Sequence, residues 1–487
     1  MKKLTLIALL IFSNLQGQTY KSMMSNDKYT IEEIQEEANN HFKDNNRGKG
    51  SGYKQYKRWE YRALRNQDDS GHLKSSSFYL NEFLKYKEQE SKKKPFLNTN
   101  LRTSASAASS TVWEDLGPTS YNATSTGHNS PGVGRVTSIA VDSNNPDIII
   151  IGGHTGGIWK STDGGVSWCV LTDNMPGLVV YSLTIDPTNS NTYYWGSANG
   201  IIFKSTNAGV TWSLLSNLNV SGAPTEILIN PLNSNIMYCS AWNWGSTGGG
   251  IWKSINGGAN WTLIKSGLTM GYDIKFKPGD YNTIYATGNG FHKSTDGGNT
   301  FTEITGFTTG AKMIGVSQDD PNVVYVLEAL GARFGAFYKS TDSGATFTEL
   351  THTLNYLGGA VGGNDTRGQA PRDMDIVVNP NDVNEVHIAG INTWMSTDGG
   401  VNFTPTSNWL TFVASGQNIG YCHADIDVLV YKNSKLYVGS DGGFFVANNP
   451  TSVNNSYYTD LSNGLSVKQF YKIGVSKTNP EIVTGGS

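Results

Sequence analysis

The octet Ser161-Thr162-Asp163-Gly164-Gly165-Val166-Ser167-Trp168 returns five more times, at 205–212, 254–261, 294–301, 340–347 and 396–403. Successive copies start 44, 49, 40, 46 and 56 residues apart. A period of about 45 residues means that one supersecondary unit is stacked repeatedly, because a single copy cannot bury its own apolar face. The flanks of each octet alternate β-branched or aromatic residues with polar ones, as in Gly157-Ile158-Trp159-Lys160 before the first copy and Cys169-Val170-Leu171 after it. Two such segments joined by Asp-Gly or Asn-Gly predict a β-hairpin. The Asp or Asn side chain accepts turn N–H groups, the glycines take positive φ, and the terminal Trp or Phe is left to fill the space between sheets.

A second signal runs in phase with the first. Asp186-Pro187, Asn230-Pro231, Lys277-Pro278, Asp320-Pro321, Asn379-Pro380 and Asn479-Pro480 each follow a short apolar run and precede another. Each unit therefore reads strand, Pro turn, strand, loop, strand, Asp-Gly hairpin, strand. Four antiparallel strands per repeat of this length predict a propeller blade. The expected fold is all-β: a propeller of at least seven four-stranded blades behind a small helical N-terminal segment. Asp163, Asn207, Asn256, Asp296, Asp342 and Asp398, the third residues of the octets, are then scaffold.

The octet resembles the Asp-box, or BNR repeat, of sialidases, sortilin-type receptors and xyloglucanase-type glycoside hydrolases. The likeness covers residues 113–487. It implies a propeller whose boxes lie away from the functional centre. Sialidases also need three arginines at equivalent blade positions. Beyond residue 102 the chain has Arg135, Arg333, Arg367 and Arg372, which are not so placed. Xyloglucanase-type enzymes carry an Asp before a Gly-Gly strand of the first blade, where this chain has His154 in Gly153-His154-Thr155-Gly156-Gly157.

The ends of the chain differ from its middle. Met1-Lys2-Lys3 and the apolar run 4–12 read as a signal peptide, residues 1–17. Residues 18–90 form a helical pre-domain or propeptide: Ile31, Ile34, Ala38 and Phe42 have helical spacing, 53–64 mixes aromatic and basic residues, and 78–86 is a further short helix. The pattern around Gly52-Tyr53-Lys54-Gln55-Tyr56 resembles the N-terminal segments of secreted Bacteroidetes proteins of the type IX secretion class. Residues 91–112, rich in Lys, Ser, Ala and Thr, read as a linker. The seventh unit keeps its strand, Leu436-Tyr437-Val438-Gly439, and a degenerate Ser440-Asp441-Gly442-Gly443 box. An eighth begins near Phe470 and stops after two strands. The propeller, residues 113–487, is thus expected to be truncated at its C-terminus.

Composition fits export: 56 glycines, 16% charged residues and three cysteines, Cys169, Cys239 and Cys422, too few for a disulfide framework. Residues 19–101 hold 16 basic and 12 acidic residues, and 102–487 hold 19 and 28. An acidic propeller argues against a nucleic-acid partner, and no later stretch is apolar enough for a transmembrane segment. A secreted or surface-attached monomer is expected.

Chemistry is expected where the repeat breaks its own spacing, at 358–375 and 421–427. Asp373 and Asp375, and His423, Asp425 and Asp427, alternate so that each set would share a strand face. Asp373, Asp375, Asp425 and Asp427 could serve as general acid and base on a glycosidic bond. His423, Asp425 and Asp427 could hold a divalent cation such as Ca²⁺, although no cofactor is required. Structural hydrogen bonding at the channel rim is the third reading. Trp195, Trp242 and Trp244 are candidates for stacking on sugars, and Arg367 and Arg372 for partnering the carboxylates. The function so read is binding of a polysaccharide or an extracellular protein. The alternatives are a glycoside hydrolase resembling xyloglucanase-type endoglucanases and a sortilin-like receptor or assembly factor.

Overall fold

The computed structural model describes residues 19–24, 26, 28–48, 51–74, 78, 80–85, 88, 119–120, 132–175, 177–242, 249–268, 273–470, 472–476 and 483–486. The signal peptide, the linker and Trp244 lie outside them.

Seven four-stranded antiparallel sheets follow one another along the chain. Blade 1 is built from Val136–Val141, Ile149–Gly153, Gly157–Ser161 and Cys169–Val170. The first strands of blades 2 to 7 are Ser182–Asp186, Ala223–Ile229, Asp273–Lys277, Ala311–Val316, Asp375–Val378 and Ile426–Lys432. Each of these packs against the first strand of the next blade, and that of blade 7 against that of blade 1, so the first strands ring a central channel. The protein is a seven-bladed β-propeller.

The strand order settles which loops share a face. All seven first strands start at one face, here called the entry face, and alternate strands reverse direction. The turns between second and third strands, and the connections from one blade to the next, therefore also lie on the entry face. The turns between first and second strands and the octets, which join third to fourth strands, lie on the opposite face. Backbone bonds tie those two turns together: Gly164 N–H donates to Asp147 O at 3.0 Å, Gly257 to Asn235 O at 3.0 Å and Gly399 to Asn384 O at 3.0 Å.

Inside the octet the network is repetitive. Ser161 Oγ donates to Asp163 Oδ1 at 2.7 Å, Gly165 N–H to Ser161 Oγ at 2.8 Å, and Ser167 N–H to Asp163 Oδ1 at 2.9 Å. Asn207, Asn256, Asp296, Asp342 and Asp398 accept the equivalent N–H at 2.9 Å. The closing aromatic reaches the preceding blade. Trp168 Nε1 donates to Leu461 O of blade 7 at 2.8 Å, and Trp261 Nε1 to Ser216 Oγ of blade 2 at 2.9 Å. Phe403 packs edge-on against Phe337 of blade 5.

Blade 7 corrects one sequence expectation. Its four strands are complete, and Ser440-Asp441-Gly442-Gly443 is the turn between its second and third strands. It lies on the entry face, opposite the octets, so it is not a degenerate box. Among the described residues, the strands expected to begin an eighth blade, Lys472–Val475 and Val483–Gly486, pair only with each other. Ring closure comes just before them, through a parallel bridge between Gly134 and Val467.

The helical segment has its own small core. Helices α1 (Thr19–Met23), α2 (Ile31–Asp44) and α3 (Tyr53–Ala63) bury Tyr20, Ala38, Phe42 and Tyr56 together. Thr30 and Glu33 cap α2 reciprocally. Residues 80–85 are again helical. Among the described residues no helix is long and apolar enough to cross a membrane. All three cysteines are free thiols.

Candidate functional site

The predicted acidic residues meet at the entry face, where blades 6, 7 and 1 adjoin, but in a different arrangement from the one alternation suggested. The first strand of blade 7 starts only at Ile426, and Asp425 before it has φ +63°, in the left-handed region. A bulge follows between Ile426 and Val428. Asp373 likewise precedes its strand. The expectation of carboxylates projecting from one strand face therefore fails; loop geometry, not pleat, aims them.

What brings them together is a chain in which carboxyl and guanidinium groups alternate. Arg135, just before the first strand of blade 1, donates to both carboxylate oxygens of Asp427, at 2.8 and 2.5 Å, and lies 3.3 Å from Asp441. Arg372 pairs with Asp441 on its other side and sits 3.4 Å from Asp373. The order is Asp427, Arg135, Asp441, Arg372, Asp373. Asp373 is 0% exposed and neither of its oxygens has a hydrogen-bond partner. Burial, reinforced by the negative charge of Asp427, pushes its carboxyl up to about 9, so it is protonated at neutral pH. Burial also lifts Asp427 to about 6 against the pull of Arg135, and raises Asp425. Arg372 stays firmly charged because the Asp441 carboxylate it pairs with, and the charge of Asp427, act against its own burial.

Next to this chain lies a row of rings. His154, in the second turn of blade 1, packs edge-on against Tyr181 at 5.3 Å, and Tyr181 against the half-buried Trp242 of blade 3 at 6.2 Å. Backbone bonds join the row to the charges: His154 N–H donates to Arg135 O and Val180 N–H to His154 O, both at 3.1 Å. Burial and the positive charges of Arg135, Arg372 and Arg62 push His154 down to about 4, leaving it neutral. Its Nδ1 is buried without a hydrogen-bond partner.

Other sequence candidates fall elsewhere. Asp375 lines the channel below the site and accepts Leu429 N–H at 2.7 Å and Ile376 N–H at 2.8 Å; burial lifts it to about 7. In the same channel, Lys275 is held by Asp273 at 2.6 Å and Glu226 at 2.8 Å. The channel encloses a cavity of about 460 Å³. Arg367, 57% exposed, pairs with Asp365 instead of with the cluster. Trp195 is fully buried, packs at a tilt against Phe203 and donates to Val179 O at 2.9 Å, so it is core and not a stacking platform. The proposed cation set of His423, Asp425 and Asp427 does not assemble. Both Asp427 oxygens face Arg135, and among the described residues no group of three His, Cys, Asp or Glu side chains could hold a metal ion.

Sequence reasoning did not assign Arg135, His154 and Tyr181 to the site. The available signal was positional: each precedes a first strand or lies in a second turn, as Asp373, Asp425 and Asp441 do.

The chain is similar in fold to solved GH74 enzymes. That of Niastella koreensis is 21% identical with a TM-score of 0.52, over 69% of this chain and 56% of that one. The GH74 xyloglucanase from Xanthomonas campestris is 13% identical with a TM-score of 0.52, over 69% and 55%. An ancestral GH74 enzyme is 19% identical with a TM-score of 0.53, over 69% and 47%. The chain thus spans about half the length of these structures, and the likeness shows the propeller fold. No protein-family model and no curated protein matches the chain.

Proposed function

We propose that this chain is an exported BNR-type propeller, delivered to the outside by its N-terminal signal, that binds a polysaccharide at the entry face. The observation carrying this reading is the charge chain from Asp427 to Asp373 beside the ring row His154–Tyr181–Trp242. Carboxylates accept and guanidinium groups donate to vicinal hydroxyls, while ring faces cover the apolar C–H side of a sugar; few, convergent polar groups beside aromatic surface are what small-ligand sites need. A protein ligand is the alternative.

A hydrolytic reading has one specific support. Asp373 is protonated at neutral pH within the electrostatic reach of Asp427 and Asp441, the pairing of an acid and a carboxylate that glycosidic cleavage uses. A polysaccharide array read for both retention and new reducing ends tests both. Arg372→Ala is expected to weaken retention at least about tenfold, since it removes one guanidinium donor and leaves the Asp441 carboxylate to Arg135 alone. Asp373→Asn is expected to retain the glycan and, if the protein cleaves, to abolish cleavage. A folded wild-type protein that retains no polysaccharide would sink the carbohydrate reading.

A further inference from the structure

The helical segment is not a separate bead on the propeller. Phe83 is buried in the same cluster as Ile158, Val180, Leu183 and Phe203, and meets the Phe203 ring edge-on at 5.3 Å. Ile158 and Phe203 belong to third strands, which start at the entry face, and Val180 and Leu183 flank Tyr181. Phe83 therefore joins the apolar cluster between blades 1 and 2, which reaches the entry face at Val180, next to Tyr181 of the ring row. A longer-range charge effect points the same way: Arg62, exposed near the end of α3, adds after Arg135 to the positive field at His154 and Tyr181. The net +4 of residues 19–101 against the net −9 of residues 102–487 gives the seating a long-range attraction.

We infer that the N-terminal helical segment is a built-in cover of the entry-face site, pinned by Phe83 between blades 1 and 2, with the charge of Arg62 reaching the His154–Tyr181 edge. A ligand reaching that edge must displace the cover or bind around it. The mechanism is a competition within one chain: the apparent affinity falls by the fraction of molecules in which the edge is open. The consequence for binding rests on the entry-face reading above; the cover itself does not.

The test uses the full chain with Phe83→Asp, which puts a charge into the apolar cleft, and Arg62→Glu, which changes only an exposed side chain. Diethyl pyrocarbonate, which modifies accessible neutral imidazole, is followed at His154 by peptide mass spectrometry, and polysaccharide retention is measured in parallel. Both variants are expected to react faster at His154, Arg62→Glu while melting like the wild type and Phe83→Asp while still folded. Retention is expected to tighten by about tenfold if the cover is closed in roughly nine molecules of ten. Should Phe83→Asp fail to fold, Arg62→Glu decides. Unchanged His154 reactivity in the folded variants overturns the cover. Faster reaction with no polysaccharide bound by any form supports the cover and overturns the carbohydrate reading, so the two failures are distinct.

Discussion

Asp373 and Asp163 are both aspartates of one propeller, and their surroundings drive them in opposite directions. Burial holds Asp373 protonated up to about 9, whereas an unfolded Asp titrates near pH 3.9. Its protonated form therefore contributes stability fully below about pH 4, and that contribution is lost as the pH rises through 9. Asp373→Asn, neutral at every pH, is expected to escape this loss: its denaturant midpoint should gain on the wild type steadily from about pH 4 to about pH 9. Parallel profiles would show that Asp373 is ionised in the fold. At Asp163 the Ser167 hydroxyl and N–H pull the carboxyl down to about 2. The stability it contributes is present above about pH 4 and is lost as the pH falls through 2. Asp163→Asn should accordingly flatten the acid limb of the stability curve and leave polysaccharide retention unchanged, because the octet is on the face opposite the site.

At the scale of the element, the octet hairpin joins a blade to its predecessor through one side chain. Trp212 is 4% exposed, packs edge-on against Trp195 and shares a buried cluster with Ile158 of blade 1. Trp212→Ala is expected to cost about 3–5 kcal/mol, the range for a large buried aromatic. Val166, in the same kind of hairpin but 73% exposed, should change stability by no more than about 0.5 kcal/mol as Val166→Ala. Equilibrium unfolding in urea measures both, and equal losses would contradict the interblade role. The hairpin was legible in the sequence because its turn chemistry is local: Ser, Asp and Gly satisfy one another within eight residues, and the Pro turns mark the opposite joint of each unit. The site was legible only as a region. Alternation misplaced His423 and Asp425 because one left-handed residue at 425 ends the strand pattern, and Trp195 looked like a surface ring because sequence alone does not say which face of a central strand is covered. Arg135 stood 292 residues from its partner Asp427, and only the closing of the ring makes them neighbours.

The whole molecule is a ring, and its seam is where the site lies. Blades 7 and 1 have complete sheets of their own, so no strand is exchanged between them; the seam is held by side chains, by the Gly134–Val467 bridge and by the Val133 N–H bond to Gly442 O at 2.8 Å. Val133, Val136 and Val467 share a buried cluster with Phe444 of blade 7, and Trp168 seals its outer end. At the inner end Gly134 has φ +128°, and a Cβ there would meet Val467 O at 2.3 Å. Gly134→Ala must therefore push the Val467 segment away, and Arg135, the next residue, moves with it. The expected outcome is local: faster amide exchange in Val136–Val141 and Ile426–Lys432, with Asp273–Lys277 across the ring keeping its protection. The same variant should weaken polysaccharide retention, since Arg135 holds Asp427 and Asp441 together across that seam. Exchange that rises equally in all seven blades would mean that the ring opens as one unit and that the seam is no weaker than the blades. Unchanged exchange at the seam, with retention intact, would show that the Gly134–Val467 bridge does not position the site at all.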